Sequence, residues 1–120
     1  MGEVSLSDLV VNALRMRPDR LIIGECLGVE AIPMLQAMNT GHDGSMTTLH
    51  ANSAQDAIHR LESMVLLGAP QWPLSVIRQQ IVSAVDLVVY IKRTGALRRC
   101  EEICRLEFDG THILLQPVPV

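Results

Sequence analysis

The feature that most constrains the fold is a short apolar segment that ends in a single carboxylate. Residues 20–25, RLIIGE, predict a buried parallel strand, because fully apolar strands are typical of sheets that are covered on both faces. The strand places Glu25 at its carboxyl end, which is where open α/β sheets bind their ligands. Glu25 is therefore a candidate for polarising an attacking water or for binding Mg²⁺ through water, although an exposed acid at a strand end is also common.

Helical and extended patterns alternate along the rest of the chain. An apolar repeat at helical spacing predicts a first helix that begins after Ser5 or Ser7 and ends before Pro18. Further helices are predicted over residues 30–38, 53–65 and 74–85, and further strands over residues 45–50 and 86–93.

A final hairpin is predicted to pair residues 98–108 with residues 111–118 across a two-residue turn at Asp109-Gly110. Helices that alternate with strands, followed by an antiparallel tail, predict an α/β domain with a mixed sheet. The first element is a helix with no strand before it, so the few parallel strands are expected to leave an open sheet edge. Because open edges pair with other chains, we expect a dimer or a higher oligomer.

Local signals mark the ends of the predicted helices. Gly41 suits the left-handed conformation that follows many helices. Ser53 is expected to cap the third helix, with Asp56 three residues later as in a capping box. Pro73 fits the first position of the fourth helix.

Composition restricts the functional class and the compartment. The net charge of −3 gives no general attraction to nucleic acid, and the basic clusters in residues 15–20 and 93–99 lack interleaved aromatic side chains. The odd cysteine count (Cys26, Cys100 and Cys104) favours a reducing cytoplasm over a disulfide framework. No apolar run approaches the roughly 20 residues of a membrane span, and no signal-peptide pattern is present.

Two histidines, His42 and His50, flank a polar loop that contains Gly-Asp-Gly and paired threonines. Such histidines can contact a terminal phosphate, but each could equally be a hydrogen-bonded loop or core histidine. Their spacing does not match a helical HExxH zinc site, and Cys100-x3-Cys104 has no second pair at zinc spacing. The sequence therefore predicts no metal site formed by protein ligands alone.

Two long motifs carry a resemblance to a known family. LRMRPDRLIIGE followed by GxEA, and then MNTGHDGSMTTLHANS, resemble the secretion ATPases of the type II/type IV superfamily, especially the branch of tight-adherence pilus assembly and conjugative secretion. The resemblance runs from about residue 5 to residue 91. It implies a partial RecA-like P-loop NTPase domain that belongs to a hexamer and uses ATP and Mg²⁺. It also implies a cytoplasmic position on inner-membrane secretion or pilus machinery.

The resemblance also implies residue roles. Glu25 matches the Walker B glutamate, and His42 and His50 match the paired nucleotide-binding histidines of the His box, which sense the γ-phosphate. The implied C-terminal part of a motor domain spans residues 1–120, with Walker B near 20–25, the His box at 39–50, C-terminal helices over 53–85, and the strand and hairpin over 86–118.

The chain departs from the family pattern near the acid. Leu27 and Val29 stand where the family normally has an arginine and a small residue, and Ser7 replaces a common arginine. A P-loop requires Gly-Lys-Ser/Thr, but the single lysine, Lys92, follows Ile91. We therefore expect an ATPase segment that is inactive alone. The alternative is a non-catalytic interaction module or truncated remnant that docks on an intact secretion ATPase.

Overall fold

The computed structural model describes residues 3–119, so the predicted domain limits at Met1 and Val120 lie outside the described residues. The described chain contains four helices, α1 (Leu6–Arg15), α2 (Ala31–Met38), α3 (Ala54–Gly68) and α4 (Leu74–Ala84). Its strands are β1 (Ile22–Ile23), β2 (Met46–Thr47), β3 (Leu87–Thr94), β4 (Leu97–Phe108) and β5 (Ile113–Pro117). The predicted α/β class is confirmed.

The strands form two separate sheets. β1 and β2 pair in parallel, with Ile22 opposite Met46 and Ile23 opposite Thr47, and α2 connects them. β3, β4 and β5 form an antiparallel sheet in that order. Parallel and antiparallel pairing are therefore both present, as predicted, but each has its own sheet among residues 3–119.

An aliphatic core lies between the helices and the inner faces of both sheets. Met34, Ile77 and Ile81 are fully buried at its centre. Ile23 enters the core from β1, and Val88 packs against it from β3. Because 2% of the chain is aromatic, Leu, Ile, Val, Met and Ala supply this core, and each fully buried Met or Ile contributes about 1.5–3 kcal/mol.

Side-chain caps begin two of the helices. The Ser5 hydroxyl accepts a hydrogen bond from Asp8 N at 3.0 Å, and the Asp8 carboxylate accepts one from Ser5 N, which completes a capping box for α1. The predicted Ser53 cap of α3 is confirmed, since its hydroxyl accepts from Asp56 N at 3.0 Å. The Asp56 carboxylate accepts from Asn52 N rather than from the cap residue itself.

The predicted lengths of the parallel strands were wrong. The strands predicted over residues 20–25 and 45–50 shorten to two residues each, and Ile22 is exposed rather than buried. Each strand has only the other as a ladder partner, so flanking backbone groups bond elsewhere. Leu21 N, for example, donates to the Ser45 hydroxyl at 2.9 Å.

The predicted two-residue turn of the final hairpin was also wrong. Residues 109–112 form a four-residue loop, because one carboxylate oxygen of Asp109 accepts hydrogen bonds from Thr111 N and His112 N at 2.8 and 2.7 Å. An aspartate that bonds backbone amides two and three residues ahead stabilises such a loop locally. Gly110 takes the left-handed conformation inside it, with φ of 98°.

A second hairpin, between β3 and β4, was not predicted. Gly95 and Ala96 form its two-residue turn, and Gly95 has φ of 63°. A glycine at the first turn position is the signal that would have identified it. Two predicted helix ends also shift: Pro73 is the N-cap of α4 rather than its first residue, and Gly41, with φ of 91°, lies two residues beyond the C-cap of α2.

Candidate functional site

The parallel strand pair continues as a set of loop contacts at its carboxyl end. Cys26 N donates to the Thr48 carbonyl oxygen at 2.8 Å, and the Thr48 hydroxyl donates to the Gly24 carbonyl oxygen at 2.6 Å. These two bonds hold the chain after β1 beside the chain after β2. They therefore bring the two polar segments that follow the strands to one edge of the sheet.

Glu25 and His50 meet at this edge. Nε2 of His50 lies 2.9 Å from Oε1 of Glu25. The His50 side chain is 91% exposed and the Glu25 side chain is 37% exposed, so the pair faces solvent and is accessible to a ligand. Because Nε2 donates to the carboxylate, Nδ1 of His50 and the second oxygen of Glu25 both remain available for further hydrogen bonds. One group can orient a water while the other contacts an anion.

His42 lies away from this pair. Its Nδ1 is 3.0 Å from the carbonyl oxygen of Ala37, which fixes Nδ1 as the donor. Ala37 belongs to the last turn of α2, and α2 ends near the amino end of β2 because β1 and β2 are parallel. The structure therefore brings Glu25 and His50 together and holds His42 at the opposite end of the strand pair.

Glu30 shapes the loop that follows the candidate acid, although the sequence analysis gave it no role beyond starting α2. Its side chain is buried, and one carboxylate oxygen accepts hydrogen bonds from Leu27 N and from Gly28 N, the latter at 2.8 Å. A Cβ at Gly28 would lie 3.5 Å from the other oxygen of that carboxylate. Glu30 therefore fixes residues 27–30 beside Glu25. The only sequence signal was its place in the Gly-x-Glu motif.

Cys26 is a core residue and not a candidate nucleophile. Burial raises the pKa of its thiol to about 11, and the negative charge of Glu30 adds to the increase. The thiol therefore stays protonated at neutral pH, and its sulfur lies 3.6 Å from that of Met64.

The residues at this edge fit one side of a Mg²⁺–nucleotide site. Mg²⁺ keeps several waters and is usually held by one or two carboxylates together with substrate phosphates. Glu25 supplies one accessible carboxylate, and the exposed His50, when both of its ring nitrogens carry protons, supplies Nδ1 as a donor for a phosphate oxygen. Among residues 3–119, no group of three or more His, Cys, Asp or Glu side chains is arranged to hold a metal ion.

Comparison with known proteins places the chain in a family. The profile of the type II/IV secretion system protein family matches residues 1–116. The chain belongs to this family. The match confirms the predicted resemblance of the chain to the secretion ATPases of the type II/type IV superfamily.

Individual relatives come from conjugation and type IV secretion. Conjugal transfer protein TrbB of Rhizobium radiobacter is 39% identical over 104 residues, which are 87% of this chain and 31% of TrbB. Type IV secretion system protein PtlH of Bordetella pertussis is 39% identical over an alignment of 105 positions, and the match covers 83% of this chain and 31% of PtlH. This type II/IV secretion system protein thus spans about a third of the length of these relatives.

A solved structure supports the same assignment. The VirB11 ATPase from the Brucella suis type IV secretion system, determined in complex with sulphate, superposes with a TM-score of 0.80 at 33% identity. The match covers 85% of this chain and 32% of VirB11. The predicted fold, part of a RecA-like P-loop NTPase domain, is therefore confirmed. Among residues 3–119 of this type II/IV secretion system protein, no helix combines the length and the apolar character that crossing a bilayer requires.

Proposed function

We propose that this chain supplies Glu25 and His50 to the ATP-hydrolysing site of a hexameric secretion ATPase. The observation that supports the proposal is the 2.9 Å contact between these two side chains at the carboxyl edge of β1 and β2. Ligands of open α/β sheets bind at that edge. The complete motor drives type II/IV secretion or pilus assembly from the cytoplasmic face of the inner membrane, where it is bound by the membrane machinery.

The two residues have different roles in this proposal. Glu25 orients the water that attacks the γ-phosphate, and its carboxylate also contacts the water shell of Mg²⁺. With both ring nitrogens protonated, His50 donates from Nε2 to Glu25 and from Nδ1 to the γ-phosphate, and so couples the position of Glu25 to the presence of that phosphate. Mg²⁺, when bound, neutralises charge on the β- and γ-phosphates. His42 acts from the opposite end of the strand pair by fixing the loop that leads to β2.

The proposal requires groups that these 120 residues do not contain. The lysine of a P-loop must reach the β- and γ-phosphates, and the single lysine here, Lys92, lies in β3 outside any Gly-Lys-Ser/Thr sequence. We therefore propose that these 120 residues alone do not turn over ATP. They do so when joined to the remaining part of a motor such as VirB11, of which they cover 32%.

A chimera tests this proposal. The matching third of VirB11 is replaced by this chain, and steady-state ATP hydrolysis is measured with and without Glu25→Gln. We expect turnover in the chimera and a loss on the order of 10²-fold or more in the variant, as is typical when a residue that positions a nucleophile is removed. The control is Glu101→Gln, because the Glu101 side chain is exposed and makes no hydrogen bond within residues 3–119. Turnover that survives Glu25→Gln unchanged would contradict the proposal.

A second candidate function is supported by Leu27. This side chain is 69% exposed two residues after Glu25, and exposed Val29 follows it. A solvent-facing apolar pair beside the acid suits a docking module that binds an intact motor without hydrolysing ATP. In that case Leu27→Arg abolishes capture of an intact motor by the 120-residue chain, and the chimera shows no turnover. Measurable ATP hydrolysis by the chimera, or a Leu27→Arg chain that still captures an intact motor, would reject the docking function.

A further inference from the structure

We infer that Glu102, on β4, is a positioning residue for His50. This inference rests on the proposed function, in which His50 contacts the nucleotide. The similarity identified from sequence motifs ends near residue 91, although the family profile continues to residue 116, so the motifs give the C-terminal hairpins no functional role. The contact of Glu102 with α3 gives β4 such a role.

The His50 ring makes few contacts of its own that could fix its position. Its side chain is 91% exposed, and its one side-chain partner among residues 3–119 is Glu25. The position of the ring therefore depends on the backbone at either side. On the preceding side, Thr48 is bonded to the chain after β1 through Cys26 and Gly24. On the following side, three residues connect His50 to the first residue of α3.

Glu102 holds that first residue. Its Oε2 accepts a hydrogen bond from Ala54 N at 2.9 Å, and Ala54 itself is completely buried. The first amides of a helix have no acceptor within the helix, and a carboxylate there also complements the helix dipole. The Ser53 hydroxyl accepts a hydrogen bond from Asp56 N. The Asp56 carboxylate accepts one from Asn52 N. Within the part of the chain that the structure describes, the bond that Ala54 N donates to Glu102 is the hydrogen bond that connects this turn to another element.

The backbone of β4 is irregular next to Glu102. Tyr90 pairs with Glu102, but the next residue, Ile91, pairs with Cys100, which leaves Glu101 without a partner on β3. Such a bulge bends the strand and changes the direction of neighbouring side chains. Glu102 and the buried Cys104 are two residues apart on β4 and so lie on the same face of the strand. Glu101 and Glu102 are both exposed, but only the Glu102 carboxylate accepts a hydrogen bond from α3 among residues 3–119.

The inference can be tested by NMR on the isotopically labelled 120-residue chain. In Glu102→Ala, we expect loss of the nuclear Overhauser contact between the His50 ring and the Glu25 side chain. We also expect the amide order parameters of residues 51–53 to fall from about 0.85 to below 0.6. Glu102→Gln keeps an acceptor oxygen for Ala54 N and is expected to retain the contact.

Matched controls separate positioning from general support of the fold. Glu101→Ala, one residue away on the bulge, is expected to change neither signal. The methyl signals of Ile77 and Ile81, at the centre of the core, are expected to be unchanged in every variant. An unchanged contact in Glu102→Ala would overturn the inference. An equal loss of the His50–Glu25 contact in Glu101→Ala would also overturn the inference. So would loss of the core methyl signals together with the contact, because either result would show that the whole fold had become less ordered.

The NMR result does not depend on hydrolysis, so it distinguishes failure of this inference from failure of the proposed function. If Glu102→Ala frees His50 but the chimera hydrolyses ATP normally with Glu25→Gln, positioning holds and the proposed function fails. In an active chimera, Glu102→Ala is expected to lower turnover when His50 is present and to have no further effect in a His50→Ala background. A Glu102→Ala loss of equal size in both backgrounds would overturn the role through His50.

Discussion

Arg78 on α4 donates from Nε to Oε2 of Glu62 on α3 across 2.8 Å. The two side chains are 19% and 9% exposed, so this ion pair lies largely out of water. Arg78 also donates from Nη1 to the carbonyl oxygen of Thr111 at 2.9 Å. A single guanidinium thus joins both long helices to the loop of the C-terminal hairpin. Neither side chain forms a hydrogen bond or an ion pair with Glu25 or His50, so the pair tests the fold separately from the candidate site.

Removing one member of this pair is expected to destabilise the chain. Glu62→Ala leaves the Arg78 charge without its carboxylate in a poorly hydrated position, at an expected cost of about 3 kcal/mol in urea unfolding. Replacing both residues by Met and Leu is expected to cost less, because no charge is then left unpaired. Glu107→Ala, on the exposed surface of β4, is the control and should change stability by less than about 0.5 kcal/mol. Equal losses in Glu62→Ala and the control would contradict the structure here.

Two glycines of the loop before β2 are expected to respond differently to alanine. Gly41 and Gly44 both have positive φ, 91° and 80°, so alanine at either site costs about 1–2 kcal/mol of backbone strain. A Cβ at Gly44 would also lie 2.5 Å from Nε of Arg20, whereas a Cβ at Gly41 would meet nothing within 4 Å. Because Arg20 is exposed and its side chain can shift, Gly44→Ala should be only slightly the more destabilising change in thermal unfolding, and adding Arg20→Ala should remove the difference. Gly24→Ala is the unstrained control. Equal effects at Gly41 and Gly44 would show that Arg20 does not pack on the loop.

The stability of the chain is expected to fall at alkaline pH because of Cys26. Burial, and to a lesser degree the charge of Glu30, raise the pKa of its thiol from 9.0 to about 11. The folded chain therefore keeps a proton that the unfolded chain releases, so this stabilisation is complete below pH 9 and is lost as pH rises through about 11. The loss is worth about 2 kcal/mol.

Denaturant unfolding at pH 8 and pH 11 checks the Cys26 prediction. Cys26→Ala should lose less stability over this interval than the unmodified chain. The pKa of Cys104 is also raised by burial, but this residue is common to both proteins and cancels in the comparison. If both proteins lost the same stability, the alkaline loss would have to come from other groups.

The exposed face of the parallel strand pair predicts self-association. Ile22 and Met46 are direct register partners and both are exposed, so the two short strands present an apolar surface as well as free edges. We expect light scattering to report a dimer or a higher oligomer, and Ile22→Lys to shift it toward monomer. A monomer at every concentration would contradict the prediction.

Features determined by neighbouring residues could be predicted from the sequence. The Ser53 cap depends on a hydroxyl three residues before a free amide, and the spacing alone reveals it. Glu25 likewise follows from the apolar run before it, because a strand end needs no knowledge of distant residues. The contact between Glu25 and His50 was not predicted, because these positions are 25 apart in sequence and the resemblance paired His50 with His42 instead.

Features determined by distant residues could not be predicted. The bond that Ala54 N donates to Glu102 joins positions 48 apart in sequence, and no local pattern predicted the bulge next to Glu102. The short lengths of β1 and β2 likewise reflect how few ladder partners they have, which depends on the whole sheet. The sequence identified Glu30 only as the start of a helix. No local pattern predicted that its carboxylate accepts hydrogen bonds from the amides of Leu27 and Gly28.

The most direct test of the account is a double-mutant cycle on Glu25 and His50 in the VirB11 chimera. If the two residues act as one unit, Glu25→Gln and His50→Ala each lower the turnover number, and the double variant is no slower than the worse single variant within experimental error. Losses that multiply in the double variant would mean that the residues act independently. The 2.9 Å contact between them would then not be the basis of the proposed function.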